Sequence, residues 1–165
     1  MVKLTIDGIQ VEAEKGTSVL HAAESVGIKI PTLCYIKDLL PDGSCRMCMV
    51  EIESRGRTKM ETACTAQVAE GLVVTTNSEK VRNARRNILD MLLSNHKTDC
   101  FSCPSNGDCK LQELCFEYGI ERTTYSGEQT ELPIDDSNKF FTYNPNLCIL
   151  CHRCVNTCHK IVGRG

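Results

Sequence analysis

Gly43-Ser44-Cys45-Arg46-Met47-Cys48 sets two thiols three positions apart behind two small residues, with ten residues between Cys34 and the pair and fifteen between the pair and Cys64. Two close thiolates on a loop and two distant ones on flanking segments suit a 2Fe-2S rhomb, in which each iron takes two thiolates. A loop of small residues also lets backbone N–H groups turn toward the sulfides, which stabilises the anionic cluster and raises its potential. A zinc ion is the competing reading, since one Cys-x2-Cys with two outlying cysteines satisfies a tetrahedron, although zinc ribbons more commonly carry two close pairs. The first gap is longer than the four residues of plant-type ferredoxin spacing.

Working outward from this loop, residues 2 to 14 alternate apolar and polar about Asp7-Gly8, a dipeptide that tolerates positive φ at both central positions of a tight hairpin. From Thr17 the period changes: Val19, Leu20, Ala22, Ala23 and Val26 share a helical face, with Thr17 as the expected cap and Gly27 as the stop. Further strands are expected near Met49–Glu53, Lys59–Ala63 and Leu72–Thr76. Two strands, a helix and more strands, with a cysteine loop between, describe a β-grasp domain over residues 1–78.

Ser78 is placed to cap a second helix, with Glu79 in its first turn and Val81, Ala84, Ile88 and Leu92 at spacings of three and four. That helix delivers His96 at its C-terminal end. His96-x3-Cys100-x2-Cys103-x5-Cys109 is the most discriminating pattern in the chain, a histidine standing ahead of a cysteine trio that lacks a fourth thiolate. A neutral imidazole in place of a thiolate lowers a cluster's negative charge and shifts its potential. Zinc again competes, because one imidazole and three thiolates suit it as well. His21, His152 and His159 have no such company and read as structural or surface residues. Beyond Cys109, Leu111, Leu114, Cys115 and Tyr118 fall on one stripe of a short helix, which makes Cys115 a small buried hydrophobe.

The polar stretch 123–146, with Pro133 and Pro145, reads as an extended connector. It leads to Cys148-x2-Cys151-x2-Cys154-x3-Cys158, the bacterial ferredoxin spacing for 4Fe-4S chemistry. In two-cluster ferredoxins the fourth cysteine of such a run serves the other cluster, and here no second run exists. His159 stands where proline usually follows. Cys158 could complete the cluster itself, a remote cysteine such as Cys115 or one from a partner could serve, or the remaining ligands could lie in a longer protein.

The bulk properties agree with small metal-stabilised modules. Twelve cysteines among 165 residues, 5% aromatic content and no tryptophan leave no segment able to bury a large core unaided. The opening Met1-Val2-Lys3-Leu4-Thr5 runs directly into a strand-like pattern, without an apolar signal core, so a secreted disulfide framework fits poorly and a cytoplasmic location is expected. No run approaches the roughly 18 apolar residues of a membrane span. A net charge of −2 with interspersed signs argues against nucleic acid as the main partner. Arg82, Arg85 and Arg86 cluster, and on a helix they read as a solvated face.

Pro31-Thr32-Leu33-Cys34-Tyr35 with Gly43 through Glu51, and Asn95-His96-Lys97-Thr98-Asp99-Cys100 with Gly107-Asp108-Cys109-Lys110-Leu111-Gln112, resemble the N-terminal iron–sulfur region of a known family. That region is shared by the large iron–sulfur subunit of respiratory complex I, iron-only hydrogenases and NAD-linked formate dehydrogenases. The resemblance covers residues 1 to about 160. It implies a 2Fe-2S cluster on Cys34, Cys45, Cys48 and Cys64, and a 4Fe-4S cluster on His96, Cys100, Cys103 and Cys109. A further 4Fe-4S cluster is expected on Cys148, Cys151, Cys154 and Cys158.

The expected fold is α+β: a β-grasp domain (1–78), a small helical His-ligated 4Fe-4S domain (79–122), the connector (123–146) and a ferredoxin-type segment (147–165). The expected function is electron relay between a flavin- and NAD(P)-binding subunit and a further redox subunit of a hetero-oligomeric oxidoreductase. No pairing of base, nucleophile and substrate pocket points to catalysis by this chain alone. Two alternatives stand beside that reading: the front part of an iron-only hydrogenase or formate dehydrogenase, and a zinc-stabilised interaction module.

Overall fold

The computed structural model describes residues 1–125 and 131–164. The order of elements is β1 (Val2–Ile6), β2 (Ile9–Ala13), α1 (Val19–Ser25), β3 (Met49–Ser54), β4 (Arg57–Thr62), β5 (Val73–Thr75), α2 (Glu79–Ser94), α3 (Lys110–Glu117) and α4 (Arg153–Thr157). The chain divides into two compact units, Met1–Arg85 with His152–Gly165 and Arg86–Cys151.

The first unit is built on a mixed five-stranded sheet in the order β2-β1-β5-β3-β4. Asp7 and Gly8 both take positive φ, 49° and 83°, closing the two-residue turn of the β1–β2 hairpin so that Ile6 faces Ile9 and Leu4 faces Val11. This register puts Leu4, Ile6, Val11 and Ala13 on one face, where all four are buried. β5 runs parallel to β1 and antiparallel to β3, pairing Val74 with both Ile6 and Ile52 at the centre of the sheet. The Asp7 carboxylate accepts the backbone N–H of Thr76 at 2.7 Å, so the hairpin turn is tied to the residue that follows β5.

Val19, Leu20, Ala22 and Ala23 of α1 pack into the same core as the sheet. The cap is Ser18 and not Thr17: the Ser18 side chain accepts the N–H of His21 at 3.2 Å, while Ser18 itself keeps extended dihedrals. The adjacent hydroxyl residues are equivalent in the sequence pattern, and the helix begins one position later than the apolar period alone implies.

α2 is also capped as expected, with Ser78 Oγ accepting the N–H of Val81 at 3.1 Å. Its apolar stripe is rotated from the expected one: Val81, Leu89 and Leu93 are buried, whereas Ala84, Ile88 and Leu92 are only half-buried. Arg85 falls within that stripe and is 3% exposed, so the solvated-face reading holds for Arg82 and Arg86 and fails at Arg85.

In the second unit, Asp90 of α2 accepts from the hydroxyl of Thr123 at 2.8 Å and from the N–H of Thr124 at 2.8 Å. Arg86 donates to the Tyr118 carbonyl at 2.9 Å, just past α3. Of the expected connector, residues 126–130 lie outside the described residues. Its later part is not simply extended, because Asp135 and Tyr143 exchange two backbone hydrogen bonds of 2.9 and 2.8 Å across an isolated antiparallel bridge. Among the described residues no helix is long and apolar enough to cross a membrane.

Candidate metal centres

Cys34, Cys45, Cys48 and Cys64 all belong to the first unit, and the twelve cysteines of the chain are all free thiols. The loop that carries Cys45 and Cys48 is bent by Gly43 at φ 66° and Arg46 at φ 59°. A Cβ on Gly43 would lie 3.2 Å from the Thr65 methyl group, so the glycine serves both the turn and the close approach of the segment that follows Cys64.

This bend aims backbone donors at sulfur. The N–H groups of Cys34 and Met47 point to Cys45 Sγ at 3.4 and 3.5 Å. The thiols then come in pairs, Cys34 with Cys45 and Cys48 with Cys64, each pair joined by a side-chain hydrogen bond. The hydrogen bond from Cys45 holds the Cys34 thiol well below its ordinary pKa, and the one from Cys64 does the same for Cys48. Their partners are pushed up, first because each keeps the shared proton and then by burial. Within each pair the hydrogen bond therefore favours the thiolate on Cys34 and on Cys48 over their partners. Among the described residues, no group of three or more Cys, His, Asp or Glu side chains converges on a single point.

The second set occupies the second unit. α2 ends just before His96, whose N–H is held by the Leu93 carbonyl at 3.1 Å. His96 is half-buried, and desolvation lowers its pKa, which favours the neutral imidazole a metal requires. Cys100 opens a short 3-10 turn, Cys100–Ser102, and Cys109 is the N-cap residue of α3. Between them the chain reverses at Gly107, where φ is 83°. Gln112 pins that reversal, accepting the N–H of Gly107 at 3.1 Å and donating to Asn106 Oδ1 at 3.0 Å.

His96, Cys100 and Cys109 line one cavity of about 410 Å³. Cys103, the remaining member of the expected set, lines a different cavity of about 500 Å³ together with Asp99 and Asn144. Cys115 is buried as expected of a helical stripe, yet it also lines the first cavity. Burial, reinforced by Cys109 and Cys100, raises its thiol to about 11.

The third run is divided by the boundary between the units. Cys148, exposed, and Cys151, half-buried, lie in the second, while Cys154 and Cys158, both exposed, lie in the first. Cys148 Sγ accepts the N–H of Leu150 at 3.4 Å. Leu150 and His152, on either side of Cys151, take left-handed dihedrals at φ 54° and 58°. α4 carries Cys154, and Cys158 begins the π-type turn Cys158–Val162.

Residues 1–79 match the family model of a 2Fe-2S iron–sulfur cluster binding domain, and residues 85–124 match that of the NADH-ubiquinone oxidoreductase-G iron–sulfur binding region. Over 163 residues the chain is 42% identical to NADPH-Fe(3+) oxidoreductase subunit alpha of Geobacter sulfurreducens, a match covering 99% of this chain and 19% of that protein. With NADP-reducing hydrogenase subunit HndD of Solidesulfovibrio fructosivorans it shares 37% identity over 170 residues, 100% of this chain and 29% of that subunit. It is likewise 37% identical, over 164 residues, to the mitochondrial NADH-ubiquinone oxidoreductase 78 kDa subunit of Neurospora crassa, with 98% of this chain and 22% of the relative covered.

Among solved structures, an NAD+-reducing [NiFe]-hydrogenase in the H2-reduced state superposes with a TM-score of 0.86 at 33% identity, covering 95% of this chain and 65% of that one. The chain thus spans about a fifth to under a third of the length of these curated relatives. The two matched domains imply one 2Fe-2S cluster and at least one 4Fe-4S cluster. With paired thiols in the first domain and a histidine–cysteine cavity in the second, the chain belongs to the family whose N-terminal iron–sulfur region is common to the large subunit of NADH-ubiquinone oxidoreductase and to NAD(P)-reducing hydrogenases.

Proposed function

We propose that this chain is an electron relay with three clusters. Cys34, Cys45, Cys48 and Cys64 hold the 2Fe-2S cluster; His96, Cys100, Cys103 and Cys109 hold a 4Fe-4S cluster; Cys148, Cys151, Cys154 and Cys158 hold a second 4Fe-4S cluster. The corresponding modules are residues 1–78, 79–122 and 147–165, with 123–146 as connector. Electrons pass between a flavin- and NAD(P)-binding subunit and a further redox subunit of the same complex, in the cytoplasm. What the protein contributes is the placement of the clusters and the tuning of their potentials.

The observation that carries the reading is the pairing of thiols, Cys34 with Cys45 and Cys48 with Cys64, around a loop whose N–H groups face sulfur. A two-iron rhomb asks for thiolates two by two, whereas zinc asks for four about one point. For the second cluster, the support is a cavity of about 410 Å³ walled by His96, Cys100 and Cys109, roomy for a single ion.

Anaerobic purification tests the reading directly. The expected product is brown, carries acid-labile sulfide, and gives separate paramagnetic signals for two-iron and four-iron centres after reduction. Stoichiometric zinc with negligible iron would replace it by the zinc-module reading. Replacing His96 by Cys is expected to keep the iron content and lower one reduction potential, because a thiolate adds a negative charge; unchanged potentials would remove His96 from the ligand set.

A further inference from the structure

We infer that Arg85 is a potential-setting charge for the two-iron centre of the first unit, holding its reduction potential above the value the same ligands give beside a neutral side chain. The inference rests on the proposed ligand set Cys34, Cys45, Cys48 and Cys64. Those residues fit a rhomb: they stand two by two, Cys34, Cys48 and Cys64 are buried, and two backbone N–H groups face Cys45 Sγ. They also sense one another, since the Cys64 thiol is raised by its hydrogen bond to Cys48, then by burial and by the negative charges of Cys48, Cys34 and Cys45.

Among the described residues, Arg85 is the one Asp, Glu, Lys or Arg side chain that is buried, at 3% exposure. Burying a charge costs free energy that apolar contacts do not return. Packing does not ask for one at this place either. Arg85 lies four residues after Val81 and four before Leu89, both fully buried, so an apolar side chain would suit the stripe. Nor does the carbonyl it serves require a cation: Arg85 Nη2 donates to the Met49 carbonyl oxygen at 2.8 Å, a bond that a neutral amide also makes.

What a neutral side chain cannot supply is the charge, and the fold holds that charge beside the cysteine loop. Met49 directly follows Cys48, so the guanidinium lies within about 9 Å of the Cys48 Cα. The loop exit is fixed on its other side as well, because the Cys48 carbonyl accepts the N–H of Ala63, the residue before Cys64, at 2.9 Å.

An iron–sulfur centre on four thiolates is anionic and becomes more so on reduction, with no bond formed or broken at the arginine. Its potential follows the surrounding charge and the exclusion of water. A cation shielded from solvent acts through a low dielectric, attracts the reduced form more than the oxidised one, and so makes reduction easier. Arg82, exposed on the same helix, is screened by solvent and lacks that leverage.

The experiment compares the full chain as wild type, R85K, R85Q, R85M and R82Q, each loaded anaerobically with iron and sulfide. Spectroelectrochemical titration reads the potential of the two-iron centre, while iron content and EPR g-values report whether the centre is intact. R85K keeps the charge and is expected to stay near the wild-type potential. R85Q keeps a donor for Met49 without the charge, R85M keeps neither, and both are expected to shift downward with g-values unchanged. R82Q is expected to leave the potential where it was.

A wild-type potential in R85Q would overturn the inference. So would a drop confined to R85M, which assigns the effect to the hydrogen bond, or a drop in R85K equal to that in R85Q. Altered g-values in R85Q would overturn it by making Arg85 a structural brace, and an equal drop in R82Q by making the general charge of the helix the cause. A wild-type chain with no two-iron signal would instead sink the ligand reading beneath it. Should R85Q fail to hold the centre, R85M against R85K decides the question, and equal potentials in those two overturn the inference.

Discussion

Arg85 donates from Nη2 to the carbonyl oxygen of Met49 at 2.8 Å, linking α2 to the residue that directly follows Cys48. The arginine is 3% exposed, so the bond is made away from water, where a charged donor is worth more and an orphaned carbonyl costs more. The connection ties the start of α2 to the exit of the cysteine loop. Arg85→Ala is therefore expected to destabilise the first unit by about 1.5–3 kcal/mol, the range for a hydrogen bond to a charged group. Chemical denaturation of the anaerobic holoprotein, followed by loss of the two-iron absorption, measures it. Arg82→Ala, at an exposed site on the same helix, is expected to change stability by about 0.5 kcal/mol or less.

Gly43 carries a second prediction. At φ 66° an alanine is strained by about 1–2 kcal/mol. Its Cβ would in addition press on the Thr65 methyl at 3.2 Å, and Thr65 follows Cys64 directly. Gly43→Ala should thus disturb both ends of the cysteine set and lower iron retention on dilution. Gly27→Ala is the control: φ is 79° but nothing lies within 4 Å of the added carbon, so only the strain is felt. Equal iron loss in the two variants would show that the Thr65 contact contributes nothing.

These two residues also mark where the sequence is legible and where it is not. The hairpin at Asp7-Gly8 could be read because turn chemistry and the two-residue alternation agree locally, and α1 because its stripe of Val19, Leu20, Ala22 and Ala23 is uninterrupted. Gly43 likewise announced itself by composition. Arg85 did not, since its partner comes from a strand 36 residues earlier. The one available signal was positional: Arg85 stands four residues after Val81 and four before Leu89, both buried, which is the place of a stripe residue. Ligand spacing names cysteines but not the wall each one faces. Cys103 and Cys115 line different cavities for reasons of loop reversal at Gly107 and helix phase in α3, neither of which the motif encodes.

Glu51 gives the chain a defined dependence on pH. Ser78 donates its hydroxyl to Glu51 while capping α2, and Lys80 Nζ lies 3.3 Å from the same carboxylate. The Ser78 hydrogen bond first, and Lys80 after it, hold the Glu51 pKa below its ordinary 4.5. A carboxyl group lowered by folding contributes stability that is complete above its unfolded pKa and is lost as pH falls through the folded one. Glu51→Gln should therefore melt below wild type near neutral pH, by about 1 kcal/mol. The gap should narrow as pH drops below about 4.5, where the wild-type carboxylate takes up a proton. Thermal melts of both proteins at matched pH check this; a gap constant across that range would show that the charge of Glu51 plays no part.

Asp42 is the hinge of the last prediction, because it couples the cysteine loop to the segment that carries Cys154 and Cys158. Its carboxylate accepts from the Ser44 N–H at 3.2 Å and from Asn156 Nδ2 at 3.0 Å, with His152 Nδ1 3.8 Å away. Asn156 foremost, then Ser44 and His152, holds the carboxyl down to about 2, so it is ionised throughout the neutral range. Lys160 adds a second tie, donating to the Leu40 carbonyl at 2.6 Å. Asp42→Ala removes the acceptor shared by loop and segment, and the loss of about 1–2 kcal/mol corresponds to about a five- to thirty-fold rise in local opening. Amide hydrogen exchange should quicken over residues 153–162 while the β1–β2 hairpin, whose own ladder joins β1 to β2 and β5, keeps its wild-type rate. Asp42→Asn retains one acceptor for the Ser44 N–H and is expected to fall between the two. Exchange that rises equally in the hairpin would mean that Asp42→Ala had loosened the whole first unit, and the specific tie would then be refuted.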